Sequence, residues 1–301
     1  MLRIFTGGFR LASTGCTGQG YNPHVTRTGA LGSTAQMRFP IYLHIGGLRL
    51  HPHWVMGTLA YAVAFRVYLA LRRRFGDPLE DVNRWWMIAA AAVGALLGCK
   101  MLYWCENPAL TLREFWNPAY LLGGKTIVGA LIGGLFAVEG LKEFLGIRVR
   151  TGDLFAVPLC VGIAIGRVGC FLTGVSDHTV GIATKLPWGI DFGDGVRRQP
   201  VQVYEILFVL ILGAFLLRLM QRPHRQGDVF RMFMVGYMGF RLACDFLKPD
   251  VRVFAGLSSI QWACVAMLLY YARDIVWWVA AGATEVFAPA RIATTEVFPK
   301  R

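Results

Sequence analysis

The stretch "GRVGCFLTG", residues 166–174, closes the long apolar run "DLFAVPLCVGIAIGRVGCFLTG" at 153–174 and sets an arginine where hydrocarbon is expected. An ionised guanidinium inside a bilayer costs from about 2.5 to more than 10 kcal/mol, so such a residue faces a bundle interior and marks a function. Reading outward from Arg167, the whole chain has the same character. It is 55% hydrophobic and only 16% charged, with a mean hydropathy of +0.47. That leaves too little polar surface to cover a soluble globule of 301 residues. The formal charge of +13 would suggest nucleic acid in a soluble protein. Here the Lys and Arg gather between apolar runs, where they set topology, and no nucleic-acid partner is expected.

Seven apolar stretches are long enough to cross a ~30 Å hydrocarbon core at ~1.5 Å per residue. They run at about 54–71, 85–104, 120–141, 154–172, 202–217, 229–247 and 257–282. The expected fold is an all-α integral membrane bundle of seven transmembrane helices over 41–284. Residues 1–40 read as a disordered or over-extended N-terminal segment, with Met37 a more natural start, and 285–301 as a cytoplasmic tail. The loops 72–84, 142–153 and 218–228 hold ten Lys/Arg in 36 residues, against six in the 53 residues of 105–119, 173–201 and 248–256. This bias predicts the N-terminus outside and the C-terminus inside, although five arginines before residue 54 pull against it. Seven cysteines show no CxxC pattern and no paired Cys/His spacing, so neither a zinc site nor a disulfide framework is expected, and no cofactor. Glycines four apart, Gly129/Gly133 and Gly162/Gly166, suit close helix contact.

The predicted spans carry Lys125, Arg167, Glu205, Arg241 and Asp245. Arg241 and Asp245 at i, i+4 can neutralise one another, but polar groups in several spans all need partners away from lipid. The cheapest arrangement is one shared polar cavity. Two arginines there leave excess positive charge, and a bidentate fork suits a phosphate, so an anionic lipid headgroup is the expected ligand. Arg66 and Lys100 lie where snorkelling explains them. The loop 173–201 is long enough for a lid or substrate platform, and Asp177 and His178 within it suggest acid/base work or plain solvated surface.

The order of several blocks resembles the prolipoprotein diacylglyceryl transferase family. "GRVGCFLTGV" is similar to its G-R-x-G-N-F-x-N-G-E, "LPW" recurs, and "QPVQVYE" is similar to H-P-S-Q-x-Y-E. "HPHWVMG" resembles H/R-W-Y-G, "GGKTIVGAL" resembles G-G-M-S-F-H-G-G-L, and "GLSSIQW" resembles L/I-S-M-G-Q. "GYMGFRLACDFLKPD" resembles G-x-F-R-x-x-x-E-F-x-R-x-P-D, one residue shorter. The match covers roughly residues 42–270.

The resemblance implies a bacterial inner-membrane enzyme that moves a diacylglyceryl group from phosphatidylglycerol to the lipobox cysteine of a prolipoprotein signal peptide, without metal or cofactor. It implies catalytic roles for Arg167, Arg241 and Glu205, and substrate binding by Gly166, Gly169, Cys170, Gln202, Tyr204, Gln261 and Lys125. The family's F-H-G-G histidine falls on Val128, its two asparagines on Cys170 and Thr173, its glutamate on Val175, the histidine before P-S-Q on Gln199 and the tyrosine of H-W-Y-G on Val55. An imidazole acting on the reacting thiol is worth about 10²–10⁴ in rate, so another base, Glu205, or a thiol arriving already ionised is required. Alternatives are a non-catalytic anionic-lipid-binding relative, and a same-fold enzyme with a different acceptor in which Cys170 is the nucleophile. A channel or secondary transporter is disfavoured, because no inverted repeat is visible.

Overall fold

A computed structural model describes residues 39–45 and 47–286. The expected N-terminal extension up to residue 38, and the tail beyond 286, lie outside the described residues. The chain enters through a short hairpin, β1 (Leu43–Ile45) with β2 (Leu48–Leu50), and then becomes helical. The helices are α1 (Pro52–Phe75), α2 (Asp81–Glu106), α3 (Pro108–Arg113), α4 (Pro118–Leu122), α5 (Ile127–Phe144), α6 (Asp153–Thr173), α7 (Val201–Met220), α8 (Asp228–Cys244), α9 (Ser259–Tyr270) and α10 (Ala272–Val286). A second hairpin, β3 (Ile190–Asp191) with β4 (Arg197–Arg198), sits in the connection from α6 to α7.

Local chemistry sets these boundaries. Pro52 occupies the first turn of α1, where its missing N–H costs nothing, and His51 caps the helix by accepting from His53 N at 3.3 Å. Helix α9 starts in a reciprocal capping box between Ser258 and Gln261. Gly174, at φ +73°, ends α6 and opens the 3₁₀ turn Gly174–Asp177.

Four helical segments are long and apolar enough to cross a membrane: Pro52–Phe75, Asp81–Glu106, Asp153–Asp177 and Val201–Met220. A fifth is the pair Ser259–Tyr270 and Ala272–Ala280, bent by 56° at its break. The expectation of seven such spans is therefore met only in part. The expected third span begins late, because α4 and the turn through Gly124 at φ +49° interrupt 120–126, and α5 ends in Glu139, Lys142 and Glu143. Where the sixth span was expected, at 229–247, α8 starts at Asp228 and holds it with Arg231 and Arg241 within 17 residues. Many large apolar side chains point outward on the long helices, including Tyr61, Trp86, Leu96 and Ile211, as a lipid-facing surface requires.

The core runs through α6, α7, α8 and α9, where Val209, Leu216, Phe233, Met234, Met238 and Cys264 are buried. Helix α2 lies along α5, α1 along α6, and α6 along α7. The predicted close contact at Gly129/Gly133 is present: a Cβ on Gly133 would lie 2.2 Å from Gly94 O, and one on Gly129 2.4 Å from Gly98 O. At Gly162/Gly166 only Gly162 has a near neighbour, Ala64 Cβ at 3.4 Å. Lys100 does not snorkel; its Nζ donates to the carbonyls of Leu122, Gly123 and Gly124, satisfying the end of α4.

Candidate active site

Arg167, on the last turns of α6, is buried and paired through Nε with Glu205 Oε2 at 2.9 Å. Glu205 stands on α7 and is itself buried; its Oε1 accepts from Tyr237 Oη at 2.7 Å. Arg241 of α8 reaches Glu205 Oε2 at 3.4 Å through Nη1 and Asp245 Oδ1 at 3.2 Å through Nη2. One carboxylate thus holds two guanidiniums, and a second neutralises one of them at i, i+4 as the spacing suggests. The excess positive charge expected of the two arginines is absent from this quartet, because two carboxylates face two guanidiniums. Buried charges in a low dielectric have to be paired, and three helices contribute to the pairing.

What stays cationic is Lys248, just past the end of α8. It is buried and, among the described residues, makes no ion pair or side-chain hydrogen bond. Burial pushes its ammonium down to about 8, and the neighbouring Arg241 and Arg167 act in the same direction, while Glu205 and Asp250 oppose. Burial raises the Asp250 carboxyl above its ordinary value, with Lys248 pulling the other way. Arg241 Nε is buried without a hydrogen-bond partner, and Arg167 Nε faces Glu205 Oε2 at ion-pair distance without a well-aligned hydrogen bond.

Arg167, Arg241 and Lys248 line one end of a cavity of about 1740 Å³. The cavity is also lined by His53, Cys170 and Asp177, by the acidic Glu106 and Asp250, by an apolar stretch with Ala64, Ala91, Leu131, Leu135, Leu159 and Ile163, and by a second charged set, Arg225, Arg231, Arg273 and Asp274. Val128, at the family's histidine position, is buried and forms part of this wall.

A description of the prolipoprotein diacylglyceryl transferase family matches residues 40–278. The chain belongs to that family. A phosphatidylglycerol–prolipoprotein diacylglyceryl transferase of Bordetella parapertussis is 32% identical over 253 residues, spanning 76% of this chain and 91% of its own length. One of Methylococcus capsulatus is 31% identical over 257 residues, spanning 77% and 92%, and one of Cupriavidus pinatubonensis 29% identical over 274 residues, spanning 79% and 90%.

Within this diacylglyceryl transferase family member the other predicted site residues divide. Gly166 lines the cavity with open space where a Cβ would be. Gly169, one turn further along α6, packs against α1: a Cβ there would meet Met56 Cβ at 2.8 Å and His53 Cα at 3.5 Å, so its absence lets α1 lie close enough to bring His53 beside Cys170. Cys170 is buried, with Sγ 3.8 Å from Arg167 Nη1. Gln202 is buried and donates to Thr179 Oγ1 at 3.3 Å. Glu205 does not line the cavity, and its engagement with two arginines and Tyr237 makes it a counter-ion rather than a free base.

Two residues expected to bind substrate have their polar atoms engaged elsewhere. Gln261 spends Oε1 on Ser258 N and Arg252 Nη1 and Nε2 on Leu242 O, so it is a helix cap. Tyr204 Oη donates to Gln199 Oε1 at 2.7 Å and accepts from Trp188 Nε1 at 2.7 Å, which anchors the α6–α7 connection to α7. Lys125 is exposed and lies on the cavity wall, its Nζ 5.6 Å from the Trp54 ring centroid.

The residue that sequence reading missed is His53. Its Nδ1 lies 3.1 Å from Asp177 Oδ1, while His178, the histidine beside Asp177 in sequence, is exposed. The block "HPHWVMG" pointed to this position; nothing in the spacing connected it with Cys170 or Asp177.

Proposed function

We propose that this protein transfers the diacylglyceryl group of phosphatidylglycerol to the cysteine thiol of a prolipoprotein. The carrying observation is the joint presence of two buried arginines and a buried, unpaired lysine at one end of a long apolar cavity. An anionic phospholipid matches that division, with acyl chains along the apolar wall and the phosphate at Arg167, Arg241 and Lys248. The reaction is an alkylation of sulfur: the thiolate bonds to the terminal glyceryl carbon, the carbon–oxygen bond breaks, and the electron pair leaves with glycerol phosphate. Charge grows on the departing phosphate, and preorganised guanidiniums stabilise it without reorganising at that moment. Glu205 and Asp245 hold those guanidiniums in place. In this reading the chain crosses a bacterial inner membrane seven times, α5 and α8 being spans sheltered by their neighbours, with the N-terminus outside, the C-terminus inside and the signal peptide of the acceptor entering from the membrane.

The test uses purified protein in nanodiscs containing phosphatidylglycerol, a lipobox peptide, and mass spectrometry beside an enzyme-free control. A diacylglyceryl mass increment on the peptide cysteine is expected. Arginine-dependent lipid binding without any increment, while a relative of known activity transfers under the same conditions, would reduce the protein to a lipid binder.

Lys248 provides a second expectation. Its ammonium titrates near pH 8, so the cation is present below that pH and lost above it. Phosphatidylglycerol affinity is therefore expected to fall severalfold as pH rises from about 7 to 9, the loss of one charge-assisted contact. In Lys248→Met the affinity is lower at pH 7 and its fall across this window is smaller than in the parent. Binding, not turnover, is the quantity to follow, because the acceptor thiol ionises over the same range. An unchanged pH profile in the variant would remove Lys248 from the phosphate site.

A further inference from the structure

We propose that His53, Cys170 and Asp177 bind a zinc ion whose open coordination position takes the acceptor thiol, an inference that rests on the transferase reading above. The three donors come from the first turn of α1, the last turn of α6 and the end of the 3₁₀ turn that follows it, and their ligand atoms all lie within 4.8 Å of one another. Tetrahedral zinc with bonds of about 2.0–2.3 Å holds its ligand atoms about 3.3–3.8 Å apart, so closing the site needs shifts of an ångström or less. His53 Nδ1 supplies an independent sign. It is buried without a well-aligned hydrogen bond, although Asp177 Oδ1 stands only 3.1 Å away. Set beside a sulfur and within ion-pair distance of a carboxylate oxygen, the nitrogen stands where a metal would take the place of a proton.

The donor set favours the metal named. Sulfur with imidazole suits zinc, whereas magnesium and calcium select oxygen. A thiolate and a carboxylate together cancel the charge of the ion, which lowers the cost of placing it beside buried arginines, Arg167 Nη1 lying 3.8 Å from Cys170 Sγ. Asp177 is held from behind: its Oδ2 accepts from Thr179 Oγ1 at 2.7 Å, and that hydroxyl accepts from Gln202 Nε2. Such outer contacts orient a ligating carboxylate, and they explain a buried glutamine that touches no part of the cavity. All three donors line the cavity, and the His53 side chain is 37% exposed, so a fourth position is reachable from the substrate side.

The site answers the chemical problem left by Val128. A thiol on zinc is deprotonated outright, so no imidazole is needed to take its proton during alkylation. As the substrate sulfur replaces a zinc-bound water, its proton passes to solvent. The sulfur then bonds to the glyceryl carbon, the carbon–oxygen bond breaks towards phosphate, and the thioether leaves the metal; nothing is oxidised or reduced. Cys170 acting as the nucleophile itself would end as a stable thioether with no route onward, so its chemistry suits a permanent ligand.

The experiment measures metal in the detergent-purified protein after dialysis, by elemental analysis and by cobalt(II) replacement, and thioether formation before and after chelation. About one zinc per chain is expected, with a thiolate-to-cobalt charge-transfer band. Cys170→Asn is expected to melt like the parent while losing the band, and Asp177→Asn and Gln202→Ala to weaken metal binding about 10–100-fold. Chelation should reduce transfer at least tenfold, with zinc restoring it. Arg241→Ala should keep the metal while losing transfer, which separates this site from the phosphate site. Folded, transferring protein without metal, or transfer unaffected by chelation, would overturn the proposal. Cysteine-dependent metal in a protein that modifies no lipobox peptide would also overturn the acceptor role, the fault then lying with the transferase reading rather than with the metal site.

Discussion

Arg167→Ala is expected to lower thioether formation in phosphatidylglycerol nanodiscs by about 10²–10³, the usual effect of removing one preorganised donor from a developing oxyanion. The guanidinium lines the cavity, is pinned through Nε by Glu205 at 2.9 Å, and brings Nη1 to within 3.8 Å of Cys170 Sγ. Alanine removes the fork and also leaves one negative charge in excess around Glu205, which repels the phosphate further. Arg167→Lys separates the two effects: it restores charge without the planar pair of donors, so an intermediate rate, with lipid affinity recovered more than turnover, is expected. The measurement is kcat/KM at matched melting temperature. An alanine variant within threefold of the parent would exclude Arg167 from the chemistry.

Glu205→Ala is expected to give the largest loss of stability, about 3–5 kcal/mol, because it leaves buried guanidiniums without their shared counter-ion. It also deprives Tyr237 Oη of its acceptor. Neither Arg167 nor Arg241 can turn to water, since both are buried at 6% and 3% exposure. Glu205→Gln keeps the acceptor for Tyr237 but not the charge, and an intermediate loss is expected. In Arg167→Met combined with Glu205→Gln the losses should be less than additive, because each change removes the partner that the other leaves stranded. Thermal or denaturant melting in detergent checks this. A Glu205→Ala protein within about 0.5 kcal/mol of the parent would place it in the range of ordinary surface substitutions and sink the counter-ion role.

Several parts of the fold were legible in the residues alone. The expected spans at 154–172 and 202–217 match α6 and α7 within a few residues, because a continuous apolar run bounded by charges leaves little choice of boundary. The third and seventh expected spans came out differently. A backbone turn at Gly124 and a bend after Tyr270 do not alter hydropathy, so the composition of a window cannot reveal them. Among the site residues, Arg167, Arg241 and Glu205 announced themselves as charges in apolar surroundings. Tyr204 and Gln261 matched the same family blocks, but their polar atoms are taken up in anchoring a loop and capping a helix.

The sequence by itself determined that this chain builds apolar helices of bilayer length with a few ionised groups among them, and that those groups had to find partners; desolvation costs follow from residue type and local run. Only the tertiary structure decided who the partners are. Glu205 of α7 serves arginines from α6 and α8, and with Asp245 beside Arg241 the two carboxylates cancel the charge excess that a count of arginines suggested, leaving Lys248 as the cation without an ion pair among these groups. His53, distant in sequence, meets Cys170 and Asp177 because Gly169 lets α1 close on α6 and Gly174 turns the chain back at the helix end. Such meetings depend on interhelical distance and on the direction of a turn, and neither is written in the hydropathy of any one segment.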